Sequence, residues 1–85
     1  MNWMVVLTRP AKKELSKIPS KDLKYIEKAL SGMQSDPFLG DVVRLAGLGD
    51  SVRRRVGNWR IFFDVDFDKR MVIVLSVVRR ASNTY

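Results

Sequence analysis

The chain has 85 residues, 46% of them hydrophobic, with 16 Lys and Arg against 9 Asp and Glu, no His and no Cys. That length allows one small domain over residues 1–85, and the composition excludes a disordered tail, a disulfide-stapled scaffold and a His/Cys zinc centre. The formal net charge of +7 calls for a polyanionic partner: nucleic acid, an acidic membrane face or an acidic protein.

Residues 2–7, NWMVVL, read as a short buried strand. The apolar run MVVL is too short for the ~7–15-residue core of a secretory signal, and MVIVLSVV at 71–78 falls far short of the ~20 residues of a membrane helix. A cytoplasmic protein without membrane contact is expected. Thr8 suits a helix N-cap, with Pro10 in the first turn. Ala11, Leu15 and Ile18 recur on one helical face, and Pro19 stops that helix. Ser20 is the expected cap of a second helix, with Asp22 favourably placed in its first turn. Leu23, Ile26, Leu30 and Met33 then form one apolar stripe. Lys12, Lys13, Lys17, Lys21, Lys24 and Lys28 give the helical pair a basic outer surface, a solvated face from which Lys13 and Lys17 can touch RNA backbone.

Residues 37–50 are loop-like, with Gly40, Gly47 and Gly49 and room for a short extended piece at VVRL. Strands are expected at 51–56, 59–67 and 70–79. The last is apolar on both faces from Met71 to Leu75, the mark of a central strand. The order β-α-α-β-β-β predicts an α+β fold, a helical hairpin packed on one face of a mainly antiparallel four-stranded sheet.

The stretch VRRRVGNWRIFF, residues 52–63, holds four arginines and no acid. Gly57-Asn58 suits a two-residue type II′ turn. That turn sets Val56 opposite Trp59, Arg55 opposite Arg60, Arg54 opposite Ile61, Arg53 opposite Phe62 and Val52 opposite Phe63. Side chains alternate between faces. Val52, Arg54, Val56, Trp59, Ile61 and Phe63 therefore share the core side, where Arg54 must snorkel from the rim. Arg53, Arg55, Arg60 and Phe62 share the other. Like charges directly opposed on a sheet are destabilising, and guanidinium forks fit phosphate oxygens two at a time. The cluster is read as a phosphate site, against the alternative of a solvated basic surface. Phe62 is placed either to stack on a base or to pack under the C-terminal tail.

RRRVGNWRIFFDV, then VLSVVRR and the terminal Tyr85, resembles the RelE/ParE superfamily of toxin–antitoxin toxins. The opening VVLTRPAKKELSKIP, the helix ending in SDP and RLAGLGDSVRRRVGNWRI follow the same order. The resemblance implies a fold related to microbial ribonucleases and a metal-independent endoribonuclease without cofactor. That enzyme cleaves mRNA in the ribosomal A site through 2′-OH attack, leaving a 2′,3′-cyclic phosphate and stopping translation. It further implies the ribosome and an acidic RelB-like antitoxin as partners, in a toxin–antitoxin hetero-oligomer. By that carry-over Arg53, Arg55 and Arg60 hold the scissile phosphate, Arg80 is the acid toward the leaving 5′-oxygen and Tyr85 the base for the 2′-OH.

Many relatives carry a histidine near the end of the last strand, where this chain has Arg79 and Arg80. Unperturbed Tyr and Arg titrate far from neutrality, so rate would come chiefly from positioning and charge stabilisation. A two-residue turn at Asp68-Lys69 would set Val77 opposite Arg60 and put Arg79, not Arg80, on the arginine face. The resemblance favours Arg80; Arg79 stands as an RNA-binding candidate with Arg54, Phe62, Lys13 and Lys17. Asp64, Asp66 and Asp68 are spaced like the start of a calcium loop, but Lys69 and Leu75 occupy the positions such a loop gives to Gly and Glu, so no metal is expected. Trp3 and Trp59 are read as core residues. Two other functions stay open: a ParE-like gyrase inhibitor without nuclease chemistry, and an inactive RNA-binding relative.

Overall fold

A computed structural model describes residues 2–45 and 51–80 of the chain. Along it run β1 (Met4–Leu7), α1 (Arg9–Leu15), α2 (Ser20–Gly32), β2 (Val42–Arg44), β3 (Ser51–Val56), β4 (Trp59–Asp66) and β5 (Met71–Arg79). The strands form one sheet in the order β1-β5-β4-β3-β2. β1 runs parallel to β5, and the other neighbours are antiparallel. The sheet thus has five strands rather than the expected four. The extra strand is VVR of the VVRL stretch, pairing with Arg54, Arg53 and Val52 along the edge. Three residues are too few to carry a period-2 pattern, which is why this strand reads as loop.

Thr8 caps α1, its Oγ1 accepting from the Ala11 N–H at 3.3 Å. The expected Ser20 cap is not formed: Pro19 holds the N-cap position and no side chain caps α2. The Pro19 carbonyl accepts from the N–H groups of Asp22 and Leu23, each at 2.9 Å, so the first turn starts directly from the proline. Ala11, Ile18, Ile26, Ala29 and Met33 pack onto Val52, Ile61, Phe63, Val65, Val72, Val74 and Val77. Both helices cover one face of the sheet. Ile61 and Phe63 are fully buried, each stabilising the fold by about 1.5–3 kcal/mol through apolar burial.

The β3–β4 register is the one the two-residue turn requires, from Val56 opposite Trp59 to Val52 opposite Phe63. Gly57 has φ +58° and Asn58 is not left-handed, the signature of a type II′ turn.

The β4–β5 connection differs from expectation. Residues 67–70 form a four-residue turn, with Arg70 left-handed at φ +53° and Asp66 Oδ1 accepting from the Lys69 N–H at 3.0 Å. Asp66 still faces Met71, and the register holds to Phe63 opposite Val74. Phe62 then faces Ser76, which leaves Leu75 unpaired as a β-bulge. Glu14 of α1 secures the far side of the bulge, accepting from the Ser76 hydroxyl at 3.1 Å and the Val77 N–H at 2.9 Å. Beyond the bulge every partner moves by one. Arg60 faces Val78 rather than Val77, and Trp59 faces Arg79.

Candidate functional site

The bulge decides which of the two late arginines meets the others. Arg79 pairs with Trp59, on the helix side of the sheet. Its guanidinium carbon sits 5.0 Å from the Trp59 ring centroid, and its Nη2 lies 4.0 Å from Asp22 Oδ2. Arg80, one residue on, falls on the opposite side. Its backbone N–H donates to the Asn58 carbonyl at 2.6 Å, which ties the end of β5 to the hairpin tip carrying Arg55 and Arg60. The register expected from a two-residue turn at Asp68-Lys69, with Arg79 on the arginine face, is not the one formed: the bulge moves Arg79 to the helix side and Arg80 to the arginine side.

Arg53, Arg55, Arg60 and Arg80 together line a pocket of about 180 Å³ with Asp41 and Val43. Two strands and the residue after a third supply the cations. Arg53 and Arg55 come from β3, Arg60 from β4 directly opposite Arg55, and Arg80 stands just past the end of β5. Val43 of β2 pairs with Arg53 and closes the edge. The Nε of Arg80 is buried and has no hydrogen-bond partner among the described residues. A buried donor in that state costs about 1–3 kcal/mol until an acceptor reaches it.

The pocket also holds a residue that sequence reasoning missed. Asp41, from the loop before β2, accepts from Arg55 Nε at 2.8 Å. No acid stands beside the arginines on their own strands, and this one arrives from 14 residues away. Its only sequence signal was its position between Gly40 and the VVRL stretch.

The other proposed residues that the structure describes lie outside this pocket. Arg54 points to the helix side, opposite Val42 and Ile61. Its guanidinium lies so close to Gly40 that a Cβ there would meet Cζ at 2.8 Å. Phe62 shares the arginine face, half-buried between Arg53 and Ser76, but does not line the pocket. Lys13, in α1, and Lys17, just past its end, are exposed on the helix layer, across the sheet from the pocket. Tyr85 lies outside the described residues. Trp59 is half-buried and donates through Nε1 to Asp22 at 3.1 Å, while Trp3 carries Arg70 over its ring.

Two larger hollows are chemically different. A cleft of about 320 Å³ on the helix side is lined by Asp22, Tyr25, Val56 and Trp59 around the hairpin turn. Another, of about 640 Å³, sits at the far end of the sheet beside Asp64, Asp66 and Asp68. Neither gathers cations. Those aspartates are engaged locally, Asp64 accepting from Ser51 and Asp66 from Lys69. Among the described residues, no three His, Cys, Asp or Glu side chains are grouped to hold a metal, and no helix is long and apolar enough to cross a membrane.

Known proteins share this arrangement of strands and helices. A protein named RelE1 from Methanocaldococcus jannaschii is 26% identical over 83 residues, 94% of this chain and 92% of that one. A chain from the crystal structure of the archaeal RelE–RelB complex of Pyrococcus horikoshii superposes with a TM-score of 0.86 at 22% identity, covering 96% of this chain and 99% of that chain. The isolated Escherichia coli RelE toxin gives 0.82 at 21% identity, covering 95% and 87%. The family model describing the ParE toxin of type II toxin–antitoxin systems (parDE) matches residues 5–84. With that match spanning nearly the whole chain, this protein belongs to the RelE/ParE superfamily of type II toxin–antitoxin toxins.

Proposed function

We propose that this toxin is a metal-independent endoribonuclease that cuts mRNA in the ribosomal A site. The observation that carries the reading is the pocket itself: four guanidinium groups from β3, β4 and the residue after β5, one of them with a buried Nε that has no acceptor among the described residues. Such a constellation suits a phosphate in which negative charge grows during reaction. In the proposed step the ribose 2′-oxygen forms a bond to the adjacent phosphorus and loses its proton to a base, for which Tyr85 is the candidate. The bond from phosphorus to the 5′-oxygen breaks, that oxygen takes a proton, and the products are a 2′,3′-cyclic phosphate and a 5′-hydroxyl. Arg53, Arg55 and Arg60 hold the non-bridging oxygens. Arg80 faces the leaving oxygen, stabilises the developing alkoxide with its charge and is the candidate acid that gives it the proton.

Solved complexes of RelE with RelB from archaeal and bacterial sources support an antitoxin partner for this chain. An acidic antitoxin that covers the arginine face, or displaces the segment after β5, complements the charge. With the ribosome and mRNA as the other partners, the cytoplasm is the expected compartment.

Cleavage mapping on mRNA with and without ribosomes tests the activity. Cuts confined to A-site codons are expected, and uniform cutting of free RNA would move the protein to a different class of nuclease. A second reading is favoured by the ParE family model that matches residues 5–84: inhibition of DNA gyrase without nuclease chemistry. The double variant Arg60→Ala, Tyr85→Phe separates the two. Loss of toxicity fits the nuclease, whereas undiminished toxicity with blocked supercoiling fits the gyrase inhibitor.

A further inference from the structure

Two consecutive arginines grip two consecutive loop residues. Arg54 lies against Gly40, whose φ of +94° favours glycine and where an added Cβ would meet Cζ at 2.8 Å. Arg55, on the opposite face, holds Asp41 twice. Its backbone N–H donates to the Asp41 carbonyl at 2.9 Å, and its Nε donates to the Asp41 carboxylate at 2.8 Å. Both side chains of this ion pair are 52% exposed. An exposed pair adds little to stability, so the effect of the carboxylate is felt mainly inside the pocket it lines. There it engages the Nε edge of Arg55 and offsets one of four positive charges, leaving a net charge of +3 on the lining residues.

We infer that Asp41 shifts the ligand preference of the pocket, reducing its pull on the doubly charged phosphate at a strand end relative to the singly charged phosphodiester inside an RNA strand. A fixed carboxylate beside an open pocket weakens anion binding by about 3–10-fold for each ligand charge, so a dianion is penalised twice. Four unopposed arginines would bind terminal phosphates and free nucleotides tightly. With Asp41 present, at a net charge of +3, the advantage of a dianion over the interior linkage and the singly charged cyclic product is smaller. This rests on the nuclease reading for its substrate, but the test reads binding alone.

The full-length chain is titrated with two uncleavable probes while the arginine Nε–H signals are followed by NMR. One probe is a 2′-deoxy dinucleoside monophosphate, a monoanion. The other is a nucleoside 3′-monophosphate at about pH 8, a dianion well above its second pKa near 6. Asp41→Asn keeps an oxygen for Arg55 but removes the charge. It is expected to tighten the dianion more than the monoanion, moving the ratio of their Kd values by about 3–10-fold, and Asp41→Glu is expected to restore the original ratio. An unchanged ratio in a folded Asp41→Asn variant overturns the inference. So does a shift in Asp41→Glu as large as that in Asp41→Asn, which would make shape rather than charge the cause. Failure of the unmodified protein to bind either probe removes both this inference and the phosphate reading of the pocket. A shifted ratio in a protein that cuts no RNA leaves the charge filter standing and ends the nuclease reading alone.

Discussion

The two faces of the β3–β4 hairpin are built from alternating residues of the same twelve-residue stretch, yet their physics is opposite. On the helix side Val52, Ile61 and Phe63 are almost wholly buried, and the gain is apolar burial. On the other side Arg53, Arg55 and Arg60 stand together, with Arg55 directly opposite Arg60, an arrangement that destabilises the strand pair. The dry face supplies the stability that allows the charged face to persist. A period-2 pattern thus lets one hairpin carry the core and a cationic pocket on separate sides, and a change on either side is expected to have a separable consequence.

The strongest challenge to that separation is Phe63→Ala. Emptying a fully buried aromatic site costs about 3–5 kcal/mol, comparable with the whole stability a core this small provides, so the variant is expected to lose its cooperative unfolding transition in circular dichroism. A stably folded variant with impaired RNA cleavage would mean that the two faces are not independent. Arg60→Ala probes the other side. Removing one charge-stabilising group is expected to slow cleavage by about 10²–10³-fold, with the urea midpoint unchanged or raised as like-charge repulsion is relieved. A large drop in the midpoint would assign Arg60 a structural role.

Glu14→Ala sharpens the comparison at the bulge. Two donors, Ser76 Oγ and Val77 N, lose their acceptor, and a loss of about 1–3 kcal/mol is expected. Cleavage should fall as well if the bulge fixes the side on which Arg80 stands, so unfolding and cleavage are measured on the same preparations. The smallest effect is expected from Lys13→Ala with Lys17→Ala. Both lysines are exposed on the helix layer, and each change should alter stability by no more than about 0.5 kcal/mol. A marked fall in ribosome-dependent cleavage would extend the RNA-binding surface beyond the sheet.

The register of this hairpin was legible because Gly57-Asn58 leaves little freedom: two turn residues with one left-handed glycine fix every pair down to Val52 and Phe63. The helices were legible from their apolar stripes, although the α2 cap was not, since Pro19 starts the helix where Ser20 seemed the better side chain. The side of Arg80 was legible only through family likeness. Strict alternation after Val72 and Val74 places Ser76 in the core row and Val77 outside it, whereas Val77 is buried. A polar residue arriving on the core beat was the trace of the bulge. Asp41 was hidden for a different reason. Its partner is 14 residues away, and contacts between a loop and a strand edge leave no periodic mark.

β1 has one neighbour in the sheet, and that neighbour is β5. β1 therefore pairs with a strand far along the chain, Met4 with Met71. Such long-range pairing slows folding. β5 also delivers Arg80 and the link to Asn58. Pairing of β5 consequently both joins β1 to the sheet and completes the cationic pocket. Without β5 the chain would hold three of the four pocket guanidiniums on β3 and β4, with Arg80 and its link to Asn58 missing.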